Sequence, residues 1–253
     1  MFNFKISKGT ELQREKQKDY RNVVLNQIII IVFGLTLTEF LLEGSDTPEA
    51  KFVTSLFLFF GGLYTFLMWD MLKNFTSNKP LIVISLFVLS GIMISGILTE
   101  FPYYRLLEVP DRRLYFLIIH SFLFSIEVLV VSFAMRDIFS GEFLTPDKLW
   151  GSACIFLMIG ISFGSFYDLL CTLRPGSLGA DLELGWRQYS ECVTYSLSIL
   201  GGVEPEFNHT SKLIKNISVL EAVWGNLFVV LIIGKLMGLP RPPKIESTEN
   251  TTY

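Results

Sequence analysis

The sequence predicts an all-α membrane protein: six transmembrane helices, with a short re-entrant helix and loop between the fifth and the sixth. Three observations predict it. The 253 residues are 51% hydrophobic, with 23 Phe and a mean hydropathy of +0.47. Only 18% are charged, and those charges fall between long apolar runs, whereas a soluble domain spreads them along amphipathic elements. One apolar run, residues 186–200, is too short to cross a bilayer and is stopped by Gly201, Gly202 and Pro205. The net charge of −3 does not point to nucleic acid or to acidic substrates, because an embedded chain meets partners through its loops.

Residues 1–22 are hydrophilic, without the apolar centre and small-residue cleavage site of a signal peptide. Thr10 with Gln13 three residues later suits a helix start, and the segment reads as a solvated juxtamembrane helix. Spans follow at 23–42, 52–72, 80–98, 114–135, 149–169 and 219–239, each near the roughly 20 apolar residues a bilayer requires. Six spans put both termini on one side. The basic residues, led by Lys5, Lys8, Arg14, Lys16, Lys18 and Arg21, place that side in the cytoplasm. Residues 170–217 then lie outside, and a plasma membrane is the expected location. The tail 240–253, with Pro240, Pro242 and Pro243, has the composition of a disordered segment.

Inside the spans the polar residues are few. The fourth, LYFLIIHSFLFSIEVLVVSFAM, has no Arg or Lys. A voltage sensor needs several, since each charge moved through the field contributes about 2.3 kcal/mol per 100 mV. It carries His120 and Glu127 instead, seven residues apart on one face, which reads as a polar pair or as two satisfied packing residues. Glu39 and Asp70 fall near helix ends. Of three cysteines, Cys171 and Cys192 both fall toward the outer side, where a bridge is conceivable in an oxidising compartment. The sequons at Asn208 and Asn216 are outside in this topology. No nucleophile–base pair, phosphate loop or metal spacing appears, so the sequence gives no reason to expect an enzyme, and neither a cofactor nor a metal is called for.

The run YSECVTYSLSILGGVEP, residues 189–205, resembles the pore loop of the potassium-channel superfamily. The following SVLEAVWGNLFVVLIIGKLMGLP resembles the inner helix of small bacterial members. Tyr189, Val193, Thr194, Gly201 and Pro205 carry the likeness in the loop; Leu220, Glu221, Ala222, Gly225, Leu236 and Gly238 carry it in the helix. The resemblance covers residues 148–239. It implies a homotetramer around one axis, in contact with membrane lipids, with monovalent cations as permeant ions. It also implies four units: a cytoplasmic segment 1–22, a voltage-sensor-like domain 23–147 without gating arginines, a pore domain 148–239 and the tail 240–253.

The match departs from the family at its centre. The usual Thr-Thr-x-Gly-Tyr-Gly-Asp falls on Ser196, Leu197, Ser198, Ile199, Leu200, Gly201 and Gly202. A potassium filter works by turning successive carbonyls toward the axis, and a β-branched Ile199 in place of the first glycine opposes the positive φ this needs. A differently selective cation pore and a pore plugged by Leu197, Ile199 and Leu200 both remain open. So does a non-conducting protein that uses the same module as an assembly platform. Asp181, Glu183, Glu191, Glu204 and Glu206 would ring the outer mouth, Glu204 first among them. On the inner helix, Asn226 suits a wet cavity and Gly225 and Gly234 suit close packing, while Glu221 and Asp168 could reach back to the short helix.

Overall fold

The computed structural model describes residues 3–42, 47–103, 107–139, 145–205, 207 and 210–238, with backbone alone for 3–13, 35–42 and 236. These residues form helices α1 (Asn3–Leu42), α2 (Pro48–Phe75), α3 (Lys79–Glu100), α4 (Arg112–Phe139), α5 (Pro146–Leu173), α6 (Trp186–Gly201) and α7 (Lys212–Gly238). No strand occurs among them. Five helices, α2, α3, α4, α5 and α7, are long and apolar enough to cross a membrane, which makes this a membrane protein. The span expected at 23–42 lies within α1, and the side chains of its second half are outside the described residues.

Local chemistry sets the helix starts. Thr47 Oγ1 accepts from the Ala50 amide at 3.2 Å, and Pro48 supplies the fixed φ of a first turn. Asn78 and Pro80 repeat the device for α3, and Asp111 Oδ1 caps α4 from the Leu114 amide at 3.0 Å. These caps start each helix a few residues before its apolar run. The amino-terminal segment differs from the expectation of a separate piece. It is continuous with the first apolar run in one 40-residue helix, about 60 Å long. Thr10 therefore lies inside a helix and does not start one. Likewise α7 begins at Lys212, not at 219, with Ser211 Oγ near the Ile214 amide at 3.4 Å.

The centre of the bundle is α5, which packs against α1, α4, α6 and α7 and is 72% buried across its apolar window. By contrast α3 is 11% buried and touches only α2 and α4 among the larger contacts. One apolar core runs through both halves of the chain, from Tyr20 and Val23 through Met68, Val130 and Ile155 to Phe228 and Ile232. Only one face of α7 is covered. Ile214, Ser218, Glu221, Gly225, Phe228 and Ile232 turn inward at alternating spacings of four and three, while Leu220, Val223, Trp224, Leu227, Val230 and Leu231 are exposed.

Candidate functional site

Helix α6 is what the other elements hold in place. It enters beside the far end of α5, where Gln188 Nε2 reaches Asp168 Oδ1 (2.9 Å), the Asp168 carbonyl (3.2 Å) and Thr172 Oγ1 (2.8 Å). Further along, Val193 packs onto Gly164, where an added Cβ would lie 2.6 Å from the Val193 backbone. Leu197 and Leu200 then pack onto Gly160, and Leu200 also onto Gly225. Gly160 and Gly225 sit at the midpoints of α5 and α7. The helix thus ends halfway along its neighbours. Gly202, at φ +68°, closes it, and Val203 N bonds the Ser198 carbonyl at 2.9 Å. The chain then returns to the end it came from, since Ser211 N bonds the Ser177 carbonyl at 2.8 Å. The helix ends at the glycine pair that the sequence marks as its stop.

Two buried carboxyls fix this half-helix, one on each side. Asp168 also meets His120 Nδ1 of α4, so it joins α4, α5 and α6. Because a carboxylate only accepts, Nδ1 carries the proton in that contact. Glu221 accepts from Tyr167 Oη at 2.6 Å and meets Ser196 Oγ, which bonds the Gly160 carbonyl at 2.7 Å. Glu221 therefore joins α5, α6 and α7 and does bond back to α6. Tyr195 Oη and Ser218 Oγ add a contact at 3.2 Å. Both carboxyls are fully buried.

The seven residues aligned with a filter do not form an extended, carbonyl-lined strand. Ser196, Leu197, Ser198, Ile199, Leu200 and Gly201 are helical, and Gly202 is the cap. Ser196 is buried in the Glu221 contact, Leu197 and Leu200 cover the glycines, Ile199 packs with Tyr167 and Tyr195, and Ser198 Oγ bonds the Thr194 carbonyl at 2.9 Å. Burying Leu197 and Leu200 keeps the helix going two turns past Val193. After the helix, Gly202, Val203 and Glu204 are exposed.

Other expected residues sort differently. Asp181, Glu183 and Glu204 are exposed, Glu191 is buried, and Glu206 lies outside the described residues with Asn208. Asn226 is exposed on the uncovered side of α7. Gly225 is a packing position, but Gly234 has nothing within 4 Å of an added Cβ, so it packs against nothing in the protomer. Cys171 and Cys192 are buried free thiols in one cluster with Tyr167 and Tyr195. No group of three or more metal-ligating side chains occurs among the described residues.

His120 and Glu127 do not form the pair the sequence suggested. Seven residues along a helix is about 10 Å, beyond the reach of the two side chains, and α5 offers Asp168 directly opposite. Glu127 is fully buried, and neither carboxyl oxygen closes a hydrogen bond of normal geometry. It faces the Ser165 and Tyr189 hydroxyls, themselves 3.3 Å apart. Tyr64 of α2 faces Glu127 on one side and Gln27 of α1 on the other, and these groups too are buried without a closed bond. Gln27, Tyr64 and Gln188 were missed from the sequence. Adjacent Asn26 and Gln27 in an apolar run were the available signal.

No family model matches the chain, and no curated protein or solved structure is significantly similar to it.

Proposed function

We propose that several copies of this chain, four in the resemblance that motivates the reading, assemble into a cation-conducting pore with altered or absent potassium selectivity. The observation that supports it is the half-helix: α6 stops at the midpoint of α5 and α7 and the chain turns back. The carboxyl end of a helix carries partial negative charge, and half-helix ends inside membranes serve as cation sites in transporters. The exposed return segment, with Val203 and Glu204, would face the shared axis, and the uncovered apolar stripe of α7 would pack between copies or against lipid. Glu204 raises the local cation concentration at the mouth. The apolar run 114–135 within α4 has no Arg or Lys, so gating is not of the voltage-sensor kind. Both termini are cytoplasmic in this reading, and the membrane is the plasma membrane.

A second reading has its own support. Ser196, Leu197 and Leu200 pack on neighbouring helices and the aligned stretch is helical through Gly201, as it would be in a non-conducting protein that uses the module to assemble. Ion efflux from proteoliposomes loaded with K+ or Na+ separates the two. Efflux above that of empty vesicles, with little preference between the ions and reduced by Glu204→Gln, is the expected result. Efflux equal to empty vesicles for both ions, from protein that is oligomeric by size, overturns the pore.

A further inference from the structure

The buried groups on the other side of α6 form a chain of their own. At the end of the bundle that holds the α5–α6 loop, a cavity of about 230 Å³ is lined by Thr99, Glu108, Arg112, Tyr115 and Phe116. Arg112 pairs there with Glu100 at 2.7 Å. Phe116 lies one turn from His120, the two rings tilted with centres 5.5 Å apart. The His120 side chain is 12% exposed and that of its partner Asp168 fully buried, so the imidazole is the less enclosed member of the pair.

From His120 the next ring inward is Tyr189, at 5.6 Å between centres. Its hydroxyl lies 3.3 Å from Ser165 Oγ, and both hydroxyls face Glu127. Beyond Glu127 stand Tyr64 and Gln27, then apolar side chains: Met68, Val130, Ala134, Ile155 and Met158, none with measurable exposure. The polar chain is therefore open at one end and closed at the other. Orphaned buried polar groups are costly in a membrane, and an intramembrane carboxyl in line with a histidine is the arrangement of proton relays.

We propose that this chain is a one-sided proton relay ending at Glu127, loaded from the α5–α6 loop end of the bundle. Asp168 holds the Nδ1 proton of His120, which leaves Nε2 to accept a proton from water entering past Phe116 at that end of the bundle. The imidazolium passes one proton to the Tyr189–Ser165 hydroxyls. Each hydroxyl that gains a proton releases its own, and the last is taken by the Glu127 carboxylate. Imidazole and hydroxyls end as they began, and the net change is one proton moved from solution to Glu127. The groups acting on His120 are Asp168 in contact and Glu127 and Glu100 at longer range; those acting on Glu127 are the Ser165 and Tyr189 hydroxyls, with His120 at longer range and Tyr64 beside it. The apolar layer below stops the proton. The relay is distinct from the α6 return segment and does not depend on conduction there.

Infrared difference spectroscopy of the protein in lipid nanodiscs, after an acid jump, tests it. A protonated-carboxyl band should appear in the native chain and be missing in Glu127→Gln, which keeps the side chain's shape. His120→Gln keeps a donor toward Asp168 but cannot carry a proton. It should show the band at full amplitude but roughly a hundredfold later, the low end of what a positioned proton carrier contributes. A band retained in Glu127→Gln, a band absent from the native chain at every pH, or an undelayed band in His120→Gln overturns the relay.

Discussion

Two sets of buried polar groups lie within a few residues of each other and are built differently. Around Asp168 and Glu221, carboxyl oxygens meet partners on two other helices: His120 and Gln188 for one, Tyr167 and Ser196 for the other. Around Glu127, both oxygens lack a closed bond, and so do Tyr64 Oη and the Gln27 amide. Both sets are buried to the same degree. A satisfied carboxyl fixes the helices it joins, because removing it strands its partners. One whose contacts with Ser165 and Tyr189 are looser ties its helices less tightly.

This contrast predicts a graded response to substitution. The largest effect belongs to Asp168→Ala, which strands His120 and Gln188. It should cost about 3–5 kcal/mol, read as a lower melting temperature in detergent, with Glu127→Gln costing less. Equal losses for the two would remove the distinction. Next is Gly164→Ala, whose new Cβ would lie 2.6 Å from the Val193 backbone. Backbone cannot rotate away, so α6 must shift, at about 1–3 kcal/mol. Gly61→Ala, with nothing within 4 Å, is the control and should be neutral or slightly stabilising, as Ala replaces Gly in a helix. A similar melting point for both variants would show that α6 is not seated tightly on α5.

The smallest effect concerns pH at the other end of the bundle. Asp19, below the apolar run of α1, has its pKa raised by burial and then by the charge of Asp70, against a lowering by the Asn74 amide, which donates to it at 2.6 Å. A carboxyl whose folded pKa is raised binds its proton more tightly folded than unfolded. It therefore destabilises the fold fully above the folded pKa, and the penalty fades as pH falls below it. Melting curves against pH should show Asp19→Asn flattening the acid side by less than about 1 kcal/mol, given its partial exposure. An unchanged pH profile would assign the acid response elsewhere.

Much of the fold was readable from hydropathy, because apolar length alone decides what can cross a bilayer. The stop at Gly201–Gly202 was readable too, since a glycine pair closes a helix cheaply. What was not readable is where the helix would yield to extended chain. Ser196–Gly201 carry no local signal against helix, and the contacts of Leu197 and Leu200 with Gly160 and of Leu200 with Gly225 decide the matter from 37, 40 and 25 residues away in sequence. The partner of His120 was hidden for the same reason. Periodicity placed Glu127 on its face, and only the packing of α4 on α5 could put Asp168 opposite.

By itself, then, the sequence determined a membrane-embedded helical chain with one helix too short to cross, because those properties follow from the length and composition of single segments. Tertiary structure decided which carboxyls are clamped between helices, which one lacks a closed hydrogen bond, and how far α6 runs. Those outcomes depend on side chains brought together across helices, and no property of one segment fixes them.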